Sequence, residues 1–242
     1  MGNDFFRFKQ FVVRQSGASM KVGVDSVLLG AWAEVDHTSR ILDAGAGTGL
    51  LALMMAQRYP EALIDAVEIE REACLQAVEN VENSVWSSRI RVICADFTDY
   101  IEDCSFRYDM IISNPPYFTA SLKPQDKKRD IARHNDSLPH SLLLAGSAKL
   151  LTPAGVLAVV LPPAEATSLI DNAATYNLFV KRMLHVQTVP SKPVYRMLVE
   201  ISKTPPQFPE AGLENRLCIE KTDRSDYTDA YKQLTKDFYL KF

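Results

Sequence analysis

Arg40-Ile41-Leu42-Asp43-Ala44-Gly45-Ala46-Gly47-Thr48-Gly49-Leu50 runs from an apolar segment into an acidic residue, then places glycine at every second position. Ile41 and Leu42 read as the end of a buried strand. Leu50 to Gln57, apolar at Leu50, Leu51, Met54 and Met55, reads as a helix that starts just past the glycines. Strand, glycine turn and helix N-terminus together make a cradle for a ligand with polar or anionic groups. Glycine lets the backbone approach closely, and the first helical N–H groups are free to donate. The spacing is G-x-G-x-G, whereas dinucleotide sites use G-x-G-x-x-G. It points to S-adenosylmethionine, with Asp43, Gly45, Gly47 and Gly49 as cofactor-binding candidates; the plain alternative is a structural turn.

Ala62-Leu63-Ile64-Asp65-Ala66-Val67-Glu68-Ile69 reads as the next strand, and Glu68 at its tip falls 21 residues after Gly47. An acidic residue there is placed to hydrogen-bond ribose hydroxyls in a Rossmann-like site. Asp96 and Phe97, ending the third strand, form a similar pair: the carboxylate can accept from an adenine amine and the ring can cover it. A solvated strand end is the competing reading for both. Lys21, just before a short apolar helix, can approach a cofactor carboxylate, and Asp25 is placed to cap that helix.

The totals suit an ordinary globular enzyme. The chain has 242 residues, 47% hydrophobic and 24% charged, with a formal net charge of −3. That charge leaves no global basic footprint, so a nucleic-acid partner would need a local patch. The four cysteines make no C-x-x-C pair and no zinc spacing, which predicts reduced thiols and a cytoplasmic protein without a metal. No stretch is apolar enough to span a bilayer, and nothing points to an obligate protein partner.

From residue 40 onward, apolar strand-like runs alternate with helical patterns. This predicts a Rossmann-like α/β fold with a mostly parallel sheet of seven strands and helices on both faces. The strands are read near 41–42, 62–69, 90–95, 109–113, 155–161, 180–188 and 196–203. The last is expected to be antiparallel, because too few residues precede it for a crossover helix. Residues 1–242 read as one domain: an N-terminal arm over 1–39, a catalytic core over 40–203 and a C-terminal extension over 204–242. In the arm, Phe5, Phe6, Phe8 and Phe11 interleave with Arg7, Lys9 and Arg14. Such a pattern suits either an arm that stacks on bases or a strand that packs on the domain.

Asn114-Pro115-Pro116-Tyr117 closes the fourth strand. Ligands in open α/β sheets bind outside the carboxyl ends of strands, where the strand order reverses. A reversal between the first and fourth strands would bring the tetrapeptide beside the glycine turn. The Asn114 side-chain oxygen and the Pro115 carbonyl can each accept one N–H of a planar amino group, and Tyr117 offers a flat face. Pro116 stiffens the turn. The set suits methyl transfer to a weakly nucleophilic nitrogen, steadied as positive charge develops. It calls for no catalytic histidine, and His37, His140 and His185 read as structural or solvated.

With these motifs placed, the chain resembles the class I S-adenosylmethionine-dependent amino-methyltransferases. Met20-Lys21-Val22-Gly23-Val24-Asp25, Val27-Leu28-Leu29-Gly30-Ala31-Trp32, Asp65-Ala66-Val67-Glu68 and the ending Asp237-Phe238-Tyr239-Leu240 narrow the resemblance. They are similar to the bacterial valine-tRNA (adenine-37-N6)-methyltransferases. Val24 departs from that family, which usually has Thr. The resemblance implies an enzyme that methylates an adenine in the anticodon loop of tRNA. Asn114, Pro115, Pro116 and Tyr117 would then be catalytic. The basic residues Lys123, Lys127, Lys128, Arg129 and Arg133, with Arg7, Lys9 and Arg14, would meet phosphates. Competing readings are an N5-glutamine protein methyltransferase, a guanine-N2 ribosomal RNA methylase, and a non-catalytic RNA- or cofactor-binding module.

Overall fold

A computed structural model of the protein describes residues 4–16, 21–35, 40–116, 138–205 and 214–242. Lys123, Lys127, Lys128, Arg129 and Arg133, together with Tyr117, lie outside them. A two-stranded antiparallel hairpin, β1 (Phe5–Arg7) and β2 (Val12–Arg14), comes first. The main sheet is built from β3 (Arg40–Ala44), β4 (Leu63–Glu68), β5 (Ile90–Cys94), β6 (Tyr108–Ser113), β7 (Leu151–Leu161), β8 (Phe179–Gln187), β9 (Arg196–Ser202) and β10 (Glu214–Cys218). The helices are α1 (Val24–Trp32), α2 (Leu50–Arg58), α3 (Arg71–Glu82), α4 (Phe97–Asp103), α5 (His140–Leu150), α6 (Pro163–Ala173) and α7 (Asp229–Thr235).

The strand order is β10-β8-β9-β7-β6-β3-β4-β5. Every neighbouring pair is parallel except those of β9, which runs antiparallel to both β7 and β8. Consecutive residues of the central strands enter opposite cores. Ile41, Met110 and Ile112 pack with α1 and α2, while Leu42 and Ile111 pack with α4, α5 and α6. With both faces covered, these strands read as continuous apolar runs, which is why the sequence reveals them.

Three expectations need correction. The sheet has eight strands among the described residues, where seven were expected; the additional one is β10, inside the segment read as a C-terminal extension. Glu214-Asn215-Arg216-Leu217-Cys218 has little apolar pattern, yet it pairs in parallel with β8 and covers what would be an open edge. The thiols expected to be reduced include a bonded pair. Packing of α3 against β5 sets the Cα atoms of Cys74 and Cys94 5.8 Å apart, and their sulfurs form a disulfide. Cys104 and Cys218 are free. Asp25 does not cap α1 either. Gly23 holds the cap position, and the Asp25 carboxylate accepts from Arg196 Nε at 2.6 Å.

The N-terminal aromatics pack on the domain. Phe8 and Phe11 are buried and stack with centroids 4.6 Å apart. The Lys9 ammonium donates to the Lys236 carbonyl at 2.6 Å, and its backbone N–H donates to Phe238 at 2.8 Å. The hairpin is thereby fastened to the chain's end, with Arg7 and Arg14 left on the outside.

One buried ion pair fixes α1 against the sheet. Glu200 on β9 is 0% exposed. Its oxygens accept from Arg182 Nε at 2.6 Å, from an Arg182 terminal nitrogen at 2.8 Å and from the Glu34 N–H at 2.8 Å. Arg182 also donates to the Trp32 carbonyl at 2.8 Å and lies over the Trp32 ring at 4.2 Å. Removing one partner of such a pair strands a buried charge. Arg182→Leu should therefore lower unfolding free energy by roughly 3–5 kcal/mol, read from urea midpoints. A loss below about 1 kcal/mol, the scale of an exposed pair, would contradict the brace.

Candidate active site

The glycine turn joins β3 to α2. Gly45, Gly47 and Gly49 have φ of 72°, 55° and 78°, a region that L side chains enter only at a steric cost. In this left-handed path the Gly45 and Ala46 N–H groups both reach the Val67 carbonyl on β4, at 2.9 and 3.0 Å. A Cβ built on Gly47 would meet nothing within 4 Å. The turn therefore presents an open backbone surface.

Glu68 sits at the tip of β4 and is 9% exposed. Its carboxylate accepts the Gly47 N–H at 2.7 Å and the Glu70 N–H at 2.8 Å. The acid thus shapes the turn directly, and its remaining lone pairs stay available to hydroxyl donors. Sequence reasoning missed a second support, Asn80 on α3, which is 2% exposed. Its amide donates to the Thr48 and Arg14 carbonyls, both at 2.9 Å, and accepts the Arg14 N–H at 2.8 Å. Asn80 so ties the turn to the N-terminal hairpin. A lone polar residue on an amphipathic helix carries no sequence signal for that role.

Asp43 lies beneath the turn, fully buried. One oxygen accepts the Ala52 N–H of α2 at 3.0 Å; the other has no hydrogen-bond partner. Burial pushes the carboxyl up to about 7; the Ala52 hydrogen bond opposes this and the charge of Glu68 adds to it.

The strand order reverses between β3 and β6, the condition under which the tetrapeptide meets the glycine turn. Asp43 pairs with Ile112 in register, and the Ser113 hydroxyl donates to the Ala44 carbonyl at 2.7 Å. Asn114 therefore leaves β6 beside Gly45. Its Nδ2 donates to the Ser26 hydroxyl on α1 at 2.8 Å, while its Oδ1 is buried without a partner. Pro115 is buried and Pro116 exposed. Pro116 borders a cavity of about 380 Å³ between α5 and α6, lined also by His140, Ser168, Asn172 and Tyr176. Burial lowers the His140 pKa, against a smaller upward pull from Glu165.

The remaining candidates lie less centrally. Lys21 is exposed ahead of α1. Asp96 caps α4, accepting the Thr98 N–H at 2.6 Å. Phe97 is 6% exposed and packs into the α4–α5 core. The side chain that offers apolar surface beside Glu68 is Ile69, 45% exposed. The apolar residue directly after the acidic strand tip was its signal in the sequence.

The donor set suits S-adenosylmethionine. The second Asp43 oxygen is a buried acceptor still to be satisfied, and the Gly47 surface is open to a ligand. Among the described residues no group of three His, Cys, Asp or Glu side chains is placed to hold a metal, and no helix is long and apolar enough to cross a membrane.

A glycine turn facing an Asn-Pro-Pro segment across the switch point of this sheet defines a methyltransferase of the Rossmann-like class. The methyltransferase small domain model matches residues 16–170. Two full-length relatives carry the name tRNA1(Val) (adenine(37)-N6)-methyltransferase. The protein from Parabacteroides distasonis is 46% identical over 241 residues, with 100% of both chains covered. The one from Trichodesmium erythraeum is 46% identical over 244 residues, again with 100% of both covered. A predicted O-methyltransferase from Agrobacterium tumefaciens shares the fold, with a TM-score of 0.65 at 20% identity over 88% of this chain and 96% of its own. The chain belongs to the methyltransferase small domain family.

Two outcomes test the cofactor half of the site. Gly47→Leu must force a branched side chain into φ 55° and onto the open surface, so a folded variant should lose S-adenosylmethionine binding by calorimetry; unchanged affinity would remove Gly47 from the site. Asp43 provides a pH test. The folded protein holds this proton up to about 7, whereas the unfolded chain releases it near the ordinary carboxylate value of 3.8. Between those values the folded state binds more protons, so this group's contribution to stability falls as pH rises and levels off above about 7. Asp43→Asn lacks that loss. Its stability relative to the parent should be greater at pH 8 than at pH 5, and equal differences at both would contradict the buried acid.

Proposed function

We propose that the protein transfers the methyl group of S-adenosylmethionine to the N6 amino group of adenine 37 in the anticodon loop of valine tRNA. The carrying observation is the buried, unpartnered Asn114 Oδ1 beside the glycine turn. It is an acceptor in the place where an amino group would meet the cofactor. The shared name of the full-length relatives supports the RNA and the nucleotide. A tRNA substrate also favours a cytoplasmic location.

The cofactor supplies an electrophilic methyl group on a sulfonium. Gly45, Gly47 and Gly49 would let it lie against the backbone. Glu68 would accept from its ribose, and Ile69 would give its adenine an apolar floor. Asp43 would face its cationic end from below, and Lys21 its carboxylate. Asp96 would accept from the adenine amine, but the buried Phe97 has its ring in the core and supports this corner only from beneath.

Adenine N6 is a weak nucleophile because its lone pair is delocalised into the ring. Asn114 Oδ1 and the Pro115 carbonyl would each accept one N6–H, which turns the lone pair toward the methyl group. They would also stabilise the positive charge on nitrogen as the new C–N bond forms. Pro116, with its fixed φ, would stiffen the turn, and Tyr117 would stack on the extruded base. A base in a single-stranded loop costs least to splay out. Of the basic residues on the N-terminal arm, Arg7 is exposed and can meet phosphates; Arg14 is exposed but pairs with Glu79 at 3.2 Å, and Lys9 is spent on the Lys236 carbonyl.

The test is product identity. The protein is incubated with tritiated S-adenosylmethionine and total RNA, and the labelled RNA is digested to nucleosides. N6-methyladenosine in the tRNA fraction is expected. Labelled N2-methylguanosine, or label in protein as methylglutamine, would overturn the assignment. Asn114→Ala should lower turnover by roughly 10²- to 10³-fold, as expected for loss of one preorganised polar partner, with cofactor affinity nearly kept. Turnover within a few-fold of the parent would remove Asn114 from the transfer step.

A further inference from the structure

The cavity between α5 and α6 lies next to the methyl-transfer site and is not used by it. His140 opens α5, and Glu165 lies in the first turn of α6. Because α5 leads into β7 and α6 follows it, both helices begin at the edge of the sheet where β6 and β7 end. The cavity, about 380 Å³, therefore opens on the same edge as the crevice. Pro116 forms part of its wall, and two residues of chain from Asn114 reach about 7 Å. Leu138 forms another part, and a Cβ built on Gly45 would stand 3.6 Å from its Cδ2. The gap from site to cavity is that of one step between unstacked nucleotides.

The lining joins an apolar face to an acceptor without a donor. Leu144 and Leu169 are 0% exposed at the inner wall, and Tyr176 contributes a ring. The Glu165 side chain is 34% exposed, and its Oε2 lies 4.0 Å from His140 Nδ1, too far for a hydrogen bond. Among the described residues this carboxylate accepts no hydrogen bond. Burial holds the His140 pKa below its ordinary value, so the imidazole is uncharged at neutral pH and leaves the charge of Glu165 unpaired. Such a pocket repels phosphate. It suits a flat apolar body that carries N–H donors on one edge, which is the description of an unstacked base with an amino group.

We propose that this cavity receives the base immediately preceding the target adenine, and that Glu165 reads it by accepting from its exocyclic amino group. The inference rests on the tRNA reading above. Valine codons begin with guanine, so the anticodon letter that precedes adenine 37 is cytosine. The N4 amino group of cytosine is the donor that a carboxylate selects. Uracil has nearly the same shape but carries an oxygen at that place, which would set acceptor against acceptor. Glu165 is thus a specificity residue, outside the cofactor cradle.

The experiment uses the full-length protein, tritiated S-adenosylmethionine and two valine tRNA transcripts, with cytosine or uracil before adenine 37. The exchange sits in an unpaired loop and leaves the tRNA stems intact. The parent should favour the cytosine transcript roughly tenfold or more in kcat/KM, the scale of one base-edge contact. Glu165→Gln keeps the shape and a good helix former. Its carboxamide can donate or accept, so the preference should fall to within about threefold. Cofactor Kd and thermal midpoint should stay close to the parent's.

A parent that methylates adenine equally in both transcripts would overturn the inference and leave the tRNA reading standing. So would a Glu165→Gln variant that keeps the parent's preference, because the reader would then lie elsewhere. A cofactor Kd weakened by Glu165→Gln as much as its rate would assign the cavity to the cofactor and also overturn the inference. Labelling of neither transcript by the parent would overturn the tRNA reading, and the inference with it.

Discussion

The pairing of β3 with β6, in register through Asp43 and Ile112, is the constraint from which the site follows. The chain builds β3, β4 and β5 outward in one direction, then returns to add β6 and β7 on the other side of β3. The connections that leave β3 and β6 therefore part toward opposite faces and open a crevice between them. The glycine turn fills one wall and Asn114 begins the other. The Ser113 hydroxyl on the Ala44 carbonyl closes the seam just beneath them.

Around that seam the structure stabilises an otherwise unfavourable arrangement. Three left-handed positions in five residues are open only to glycine, and the buried Asp43 and the unpaired Asn114 oxygen each cost stability. The surroundings over-determine the geometry. Glu68 and the Val67 carbonyl hold the turn from β4, and Asn80 holds it from α3 and the hairpin. α1 is fastened near its start through Asp25 and Arg196 and at its end through Arg182 and Glu200. These contacts come from parts of the chain far apart in sequence, and each one restrains a wall of the same crevice.

The central sheet was legible because its strands are buried on both faces and announce themselves as apolar runs. The glycine turn and the Asn-Pro-Pro segment were legible because backbone conformation dictates those residue types. β10 was hidden: its inward pattern amounts to Leu217, with Ile219 just beyond, and it exists because an edge strand needs a neighbour. The disulfide was hidden because Cys74 and Cys94 are brought together by packing of a helix on a strand and have no motif spacing. In the crevice, the sequence places Asn114 at a strand end but carries no sign of the Ser26 hydroxyl that it meets. Which hydroxyl on α1 faces β6 is a property of the packed fold. Phe97 shows the reverse error, since an aromatic beside a strand-end acid can equally be the first core residue of the next helix.

The central claim is that this crevice seats one particular amino group. The most direct test compares two valine tRNA transcripts that differ at nucleotide 37, adenine in one and guanine in the other, under single-turnover conditions with tritiated S-adenosylmethionine. Methyl incorporation into the adenine transcript alone is the result this account predicts. Equal incorporation into both, or into neither, would contradict it.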